Sequence, residues 1–139
     1  MEGRKIKNFT LSNSISELPA LAGKTDEIVQ KWELPASLGM NINLVLEESL
    51  SNIINYAFND NREHKIRISL SLNRDVLTIK IKDDGIHFDP TSYEPPDITL
   101  PARQRPVGGL GIFLISKIMD DVHYSRKKDM NVLTLTKKI

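Results

Sequence analysis

The stretch LGMNINLVLEESLSNIINYAF, residues 38–58, contains the longest helical pattern in the chain and decides the fold. Its apolar side chains recur at the spacing that places them on one face of an α-helix. These residues are Ile42, Leu46, Leu50, Ile53 and Ala57. The polar run Asn59-Asp60-Asn61 ends the pattern. The rest of the chain must therefore supply an apolar surface for this helix to pack on.

A polar stripe lies on the other side of the same helix. Glu48 and Asn52 are about 40° apart around the helix axis, and Asn55 is about 20° from Glu48 on the other side. Such a stripe is typical of a solvated helix face. It also fits a hard-cation site, because Mg²⁺ takes few protein oxygens and completes its shell with water and substrate phosphates. In that interpretation Glu48 would also accept a proton from a hydroxyl or water beside the phosphates.

Two strands follow the helix. Residues 66–72 and 77–81 alternate apolar and polar side chains and predict a β-hairpin. Asp83-Asp84-Gly85 comes directly after the second strand and is typical of a tight turn. It also suits an adenine site, because a carboxylate at a strand end accepts a hydrogen bond from the exocyclic amine. The glycine would let the base approach the backbone.

An irregular segment is predicted between residues 89 and 106, which hold five of the seven prolines. A loop of this length is usually a functional lid or a disordered segment. Gly108-Gly109-Leu110-Gly111 follows and opens a predicted helix that runs to about Asp120. Free N–H groups at a helix N-terminus suit a phosphate. A glycine-rich turn alone is a weak signal, and this one matches neither the Walker nor the Rossmann pattern.

The remaining segments complete an α+β pattern. Residues 4–11 predict a first strand, and Ser14 with Glu17 has the spacing of a capping box before a further helix. A proline and a glycine in that run predict a kinked or late start of the helix. Residues 122–124 and 132–136 predict a closing hairpin. The order of elements predicts helices covering one face of a mostly antiparallel sheet.

Composition predicts one ordinary globular domain over residues 1–139, since 40% of the residues are hydrophobic and 27% charged. The net charge of +1 and the lack of a long basic stripe argue against a nucleic-acid partner. No cysteine is present, which excludes disulfides and thiolate zinc sites. The sequence shows no signal peptide and no run of roughly 20 apolar residues, which predicts a cytoplasmic protein without a membrane partner.

Together these segments resemble the GHKL superfamily of ATP-binding domains, and most of all its small branch, the anti-sigma-factor serine/threonine kinases. Residues 46–58 look like the N-box of that family, and residues 83–90 look like its first glycine box. Residues 108–122 look like its second glycine box with the helix behind it. Three boxes in order over nearly the whole chain are more specific than any one of them.

The resemblance implies an α+β fold of the Bergerat ATP-binding type, a two-layer α/β sandwich with a mixed, mostly antiparallel sheet. It implies ATP and Mg²⁺ as cofactors, with Asn52 as the Mg²⁺ ligand. Asp83 would bind the adenine amine, with Gly85 beside it. Glu48 would be the general base that activates the acceptor serine or threonine.

The resemblance also assigns the phosphate side of the pocket. Gly108, Gly109, Leu110 and Gly111 would form the phosphate-binding turn, and residues 89–106 would form the ATP lid. The implied function is a Mg-ATP-dependent protein serine/threonine kinase that acts as an anti-sigma regulatory factor. Its implied partners are a sigma factor and a small antagonist protein that it phosphorylates, and homodimers are usual in that branch.

Two residues depart from the family pattern. His87 stands where the first glycine box normally has a second glycine, and Tyr56 stands where a histidine is frequent. His87 would narrow the pocket, restrict the hinge of the lid, or contact the nucleotide. The departures leave open an alternative function, an ATP-binding regulatory interaction module without kinase activity. A detached sensor histidine kinase domain is a weaker interpretation, because no helical hairpin with a phosphoacceptor histidine precedes these boxes.

Overall fold

The computed structural model describes residues 4–92 and 109–139, which form five strands and three α-helices. In chain order these elements are β1 (Lys5–Ser12), α1 (Leu18–Lys31), α2 (Ala36–Tyr56), β2 (Lys65–Asn73), β3 (Val76–Asp83), α3 (Gly109–Ile118), β4 (Asp121–Lys127) and β5 (Met130–Lys138). Short 3₁₀ turns cover Ile15–Glu17 and Pro90–Ser92. Gly108 and residues 93–106 of the predicted lid lie outside the described ranges.

The five strands form one sheet in the order β1-β2-β3-β5-β4. All four pairings between these described strands are antiparallel, which confirms the predicted mostly antiparallel sheet. β3 lies at the centre, between β2 and β5. In this register Asp83, the last residue of β3, lies opposite Asn131 near the start of β5. Both side chains are buried.

One face of the sheet carries the core. The buried positions of the two central strands alternate with exposed ones, and they are Ile66, Ile68, Leu70, Leu77, Ile79 and Ile81. The apolar stripe of α2 is buried in the same cluster, and α1 and α3 pack against α2. Burying one such side chain contributes about 1.5–3 kcal/mol. The predicted two-layer sandwich with helices on one face is therefore confirmed.

None of the helices in residues 4–92 and 109–139 combines the length and the apolar composition needed to cross a bilayer.

The start of α1 differs from the predicted capping box. Ser14 Oγ accepts a hydrogen bond from the backbone N–H of Ser16 at 3.4 Å and caps the 3₁₀ turn. The Glu17 carboxylate accepts from Ser12 Oγ at 2.7 Å, at the end of β1, instead of reaching back to the cap residue. Because α1 then begins at Leu18, with Pro19 in its first turn where no N–H partner is required, the predicted late start is confirmed.

A close backbone contact joins the end of α2 to the end of β3. The carbonyl oxygen of Ala57 accepts a hydrogen bond from Ile86 N at 2.7 Å. A Cβ atom added at Gly85 would lie 2.3 Å from the same oxygen. Only a glycine therefore permits this close approach. The contact fixes the C-terminal end of α2 against the backbone that follows Asp83.

A second contact ties the loop after α2 to the same strand end. His64 Nε2 lies 2.7 Å from Asp60 Oδ1, and His64 Nδ1 lies 3.0 Å from Asp84 Oδ1. The imidazole also stacks on Phe58 at 4.6 Å between ring centroids. The hydrogen bonds to Asp60 and then to Asp84 raise the pKa of His64 above 6.5. A carboxylate at each nitrogen thus stabilises the charged imidazolium relative to the neutral ring.

We predict that Gly85→Ala destabilises the protein by about 1–3 kcal/mol, because the methyl group meets a backbone atom that no rotamer change can move. Gly23→Ala is the matched control. A Cβ at Gly23 has no atom within 4 Å, so the control should stabilise α1 by about 0.5–1 kcal/mol through helix propensity. Urea unfolding measures both variants. Equal stability of Gly85→Ala and the wild type would show that the close contact does not exist in solution.

We also predict a pH-dependent contribution from His64. A raised folded pKa means that its stabilisation is complete below the unfolded value near 6.5 and is lost as the pH rises through the folded value. The hydrogen bond to His64 also lowers the pKa of Asp60 below 3.8. Asp60 therefore stays ionised in mildly acidic solution, and the stabilisation by the His64–Asp60 pair persists there. The melting temperature of His64→Gln should therefore fall below that of the wild type at about pH 6, where the histidine of the folded protein is charged.

The difference between wild type and His64→Gln should shrink toward higher pH. His123→Gln is the control, since this histidine is exposed on β4. A difference that grows with pH would contradict the assigned charge state of His64.

Candidate functional site

A small cavity lies where α2, the end of β3, α3 and the β4–β5 hairpin meet. It is lined by Ser49, Asn52, Ile53, Asp83, Phe88, Pro90, Ile115, Tyr124, Asn131 and Leu133. Its volume is about 10 Å³, close to the space that one water molecule requires. Asn52 and Asp83, two residues singled out from separate sequence motifs, therefore line one cavity.

Asp83 is the buried charged group of this cavity, with 1% of its surface exposed. Its Oδ1 accepts hydrogen bonds from Gly85 N and from Asn131 Nδ2, both at 2.9 Å. Burial raises the pKa of the Asp83 carboxyl, while these two bonds act in the opposite direction. Within the described residues no hydrogen bond ends on Oδ2. This second oxygen is thus an acceptor that is available to a ligand.

Three polar atoms on α2 are buried without a partner among the described residues, and they are Asn43 Oδ1, Ser49 Oγ and Asn52 Nδ2. Ser49 and Asn52 line this cavity, whereas Asn43 does not. An unsatisfied buried polar atom costs about 1–3 kcal/mol, and native proteins contain few of them. A polar ligand or an ordered water in the cavity would satisfy the atoms of Ser49 and Asn52.

The side chains of this cavity fit a magnesium ion only when the ion brings other ligands. Among residues 4–92 and 109–139 no group of three or more His, Asp or Glu side chains forms a metal centre. The Asn52 amide can rotate by 180° and present its oxygen in place of its nitrogen, since the two are assigned from hydrogen bonds. One amide oxygen suits Mg²⁺ that is otherwise held by phosphates and water.

Glu48 does not line the cavity. It is partly exposed on α2, one helical turn before Asn52. Residues four apart face the same side of a helix, so Glu48 lies beside the cavity residues on the solvent side. The structure thus brings Asn52 and Asp83 together in one cavity lining that does not include Glu48.

Asn131 is the residue at the centre of the site that sequence analysis missed. Its Nδ2 donates to Asp83 Oδ1 at 2.9 Å and to the carbonyl of Ile86 at 2.8 Å. Its Oδ1 accepts from Tyr124 Oη, from Arg126 Nη1 at 2.9 Å and from Phe88 N at 3.4 Å. This amide therefore orients the carboxylate and fixes the backbone after β3.

A signal for Asn131 is present in the sequence. Leu133 and Leu135 occupy the inward phase of β5, and Asn131 has the same phase. A polar residue at an apolar phase of a strand is unusual, because it must find a buried hydrogen-bond partner. The partner, Asp83, is 48 residues away in sequence and could be found only from the strand register.

Arg126 and His87 complete the surroundings of the site. Arg126 Nη1 donates to the carbonyl of Gly85 at 3.0 Å, and its charge partly offsets the burial of Asp83.

The sequence left open whether His87 narrows the pocket, restricts the lid hinge or contacts the nucleotide. In the structure its ring packs edge-on against the Tyr124 ring, 5.5 Å between centroids, and it does not line the cavity.

Three of the four residues of the predicted phosphate-binding turn belong to α3, a helix that also contributes to the cavity lining. Gly109, Leu110 and Gly111 form the first turn of this helix, as predicted. Ile115, one turn further, is buried and lines the cavity. The N-terminal N–H groups of α3 are therefore within about two helical turns of a residue that lines the cavity, and a helix N-terminus suits an anion.

Sequence comparison shows which known proteins this chain resembles. The sequence profile of the family described as Histidine kinase-like ATPase domain matches residues 11–137. Serine-protein kinase RsbW of Bacillus cereus (strain ZK / E33L) is 32% identical over 103 residues, which cover 71% of this chain and 63% of RsbW. Serine/threonine-protein kinase BtrW of Bordetella bronchiseptica (strain ATCC BAA-588 / NCTC 13252 / RB50) is 31% identical over 106 residues, covering 76% of this chain and 73% of BtrW.

The match to RsbW thus spans less than two thirds of the length of that relative. The profile match extends over most of the chain and includes every strand and helix that builds the cavity. The chain belongs to the family of histidine kinase-like ATPase domains.

Proposed function

We propose that this protein is a Mg-ATP-dependent protein serine/threonine kinase of the cytoplasm that acts as an anti-sigma regulatory factor. The observation that carries the proposal is the shared cavity of Asp83 and Asn52. Among the described residues this cavity has an unbonded carboxylate oxygen and two unpaired polar atoms. The names of the relatives RsbW and BtrW, both protein kinases, support the same activity.

Asp83 would recognise adenine. Its Oδ2 would accept a hydrogen bond from the exocyclic amine, while Gly85 N and Asn131 hold Oδ1 in place. A carboxylate that is already oriented loses little freedom when the base binds. Gly85 lies beside it, where a side chain would collide with Ala57.

The phosphates would lie between α2 and the N-terminus of α3. Bound Mg²⁺ would supply charge neutralisation there, with the Asn52 amide oxygen as the ligand from this chain. Gly109, Leu110 and Gly111 would offer backbone N–H groups to the phosphate oxygens. In the same proposal Gly108 would belong to the phosphate-binding turn, and residues 89–106 would form the ATP lid.

Glu48 would act on the protein substrate. Its partial exposure suits this role, because the serine or threonine of a small antagonist protein must approach from solvent. The carboxylate would accept the hydroxyl proton as the oxygen attacks the terminal phosphate. Positioning of the two reactants supplies most of the remaining rate enhancement.

The cavity must enlarge before a nucleotide binds, because about 10 Å³ does not hold an adenine base. Phe88 and Pro90, at the beginning of the proposed lid, are two of the lining residues. Their displacement would open the cavity at the side of the lid. Nucleotide binding and lid position are therefore coupled in this proposal.

The partners in this proposal are a sigma factor and a small antagonist protein, and the assembly is a homodimer. A second candidate function is an ATP-binding regulatory module without phosphate transfer. In that function Glu48, which does not line the cavity, would have no catalytic role. In that function the lid would report nucleotide binding to a partner.

We predict that Asp83→Asn abolishes the stabilisation by Mg-ATP. For the wild type, a ligand at about 100 times its dissociation constant adds about 2.7 kcal/mol, which corresponds to a rise in melting temperature of at least about 5 °C. Asparagine keeps an oxygen for Gly85 and Asn131 but replaces the acceptor Oδ2 with a donor. Differential scanning fluorimetry with and without Mg-ATP measures the shift.

The apo form of Asp83→Asn should be at least as stable as the wild type at pH 7, since burial of the Asp83 charge raises its pKa. A raised carboxyl pKa means that stability falls as the pH rises through the folded value. Asp129→Asn, in the exposed β4–β5 turn, is the control and should keep the full shift. An undiminished shift in Asp83→Asn would remove this residue from the adenine site.

We predict that Glu48→Gln binds Mg-ATP with an unchanged thermal shift but transfers phosphate at least about 100-fold more slowly, the lower range for loss of a general base. Glu47→Gln, its exposed neighbour on α2, is the matched control and should transfer at the wild-type rate. Radiolabelled ATP and purified antagonist candidates measure transfer. If Glu48→Gln is as active as Glu47→Gln, the proposed base is wrong.

A further inference from the structure

A cluster of three positive charges lies on the sheet face away from the helices. It consists of Arg67 on β2 with Lys80 and Lys82 on β3, and we name it the basic patch. Arg67 lies directly opposite Lys82 in the register, and such pairs have Cβ atoms about 5 Å apart. Lys80 is two residues from Lys82 on the same face, about 7 Å away. All three side chains are exposed.

No acid neutralises the basic patch within the described residues. The ion pairs found there join His64 to Asp60 and Asp84, and Lys65 to Glu63. Asp84 follows β3, two residues after Lys82, and it already accepts a hydrogen bond from His64. Asp83, the acid at the end of β3, is buried on the opposite face of the sheet. Like charges directly opposite each other on two strands are destabilising. The free protein therefore carries a local repulsion that a bound anion would relieve.

The basic patch lines a shallow groove of about 380 Å³. Asn8, Thr10 and Ser69 contribute polar side chains to the same groove. Ammonium, guanidinium, amide and hydroxyl groups together form a set of hydrogen-bond donors. Carboxylates and phosphates are the acceptors that such donors bind most strongly in proteins.

The chemistry of this face favours an acidic protein segment over a nucleic acid. Binding of single strands uses aromatic side chains on which bases stack, and the outward positions of the described strands carry no Phe, Tyr or Trp. Phe9 also borders the groove, but its side chain is buried. The outward positions next to the basic patch are Ser125, Val132, His123 and Thr134. Three cations and a net charge of +1 also give no extended track for a phosphate backbone.

We propose that the basic patch is a docking surface for an Asp- and Glu-rich segment of a partner protein. This surface is on the opposite side of the sheet from the cavity, so docking requires no nucleotide. The proposal therefore goes beyond the kinase activity and is independent of it. Carboxylates of the segment would pair with Arg67, Lys80 and Lys82, and the groove would hold its backbone.

The test compares two triple variants of equal charge. The first, Arg67→Gln with Lys80→Gln and Lys82→Gln, neutralises the basic patch. The matched control, Lys31→Gln with Arg74→Gln and Lys128→Gln, removes one arginine and two lysines from exposed positions elsewhere. The probe is a fluorescent peptide of about twelve alternating Glu and Asp residues, a length that spans the groove in extended form. Anisotropy measures its affinity at about 0.05 and 0.15 M salt.

The peptide should bind the wild type and the control triple with equal affinity, and should bind the basic-patch triple at least about tenfold more weakly. Amide chemical shifts should change on β2 and β3. The basic-patch triple should melt at or above the wild-type temperature, because repulsion is removed, and should keep its Mg-ATP shift. No binding to the wild type, equal losses in both triples, or tighter binding of a single-stranded DNA of equal charge would each overturn the proposal.

Discussion

A buried carboxylate at the end of the central strand is the constraint on which the rest of the site depends. Asp83 is almost fully enclosed, and removing a charge from water is costly unless hydrogen bonds and opposite charge compensate. Gly85 N and Asn131 bond one of its oxygens, and Arg126 lies near enough to lower its pKa in part. This compensation is incomplete, since the pKa remains raised. The fold therefore keeps a buried carboxylate whose charge is only partly compensated, at a position where the proposed ligand would bind it.

The same region holds other features that stability alone does not explain. Ser49 and Asn52 bury polar atoms without partners in the described part of the chain, although an apolar side chain at either position would avoid that cost. The cavity between them and Asp83 is small, with a volume of about 10 Å³. A binding-competent state that is open only part of the time lowers the apparent affinity by the fraction open. The small size of the cavity would thus raise the ligand concentration that binding requires.

Local patterns predict much of this fold from the sequence, and long-range register accounts for what they miss. The helix over residues 38–58 and the two hairpins follow from periodicity within single segments, and each forms close to its predicted bounds. Periodicity does not reveal the role of Asn131, because that role arises from the pairing of β3 with β5. Helical geometry places Glu48 and Asn52 on one face, but it does not tell which of them the sheet encloses. Local patterns also do not predict where the His87 ring lies, because its contact with Tyr124 depends on how the β4–β5 hairpin packs.

The proposed function requires that Asp83 and Asn52 lie in one nucleotide pocket. A crystal structure of the protein with Mg²⁺ and a non-hydrolysable ATP analogue tests this most directly. We expect the exocyclic amine of adenine within hydrogen-bonding distance of Asp83 Oδ2, about 2.7–3.2 Å, and the Asn52 amide oxygen bound to Mg²⁺ at about 2.1 Å. An analogue bound elsewhere on the protein, with Asp83 still enclosed and Asn52 without a ligand, would contradict it.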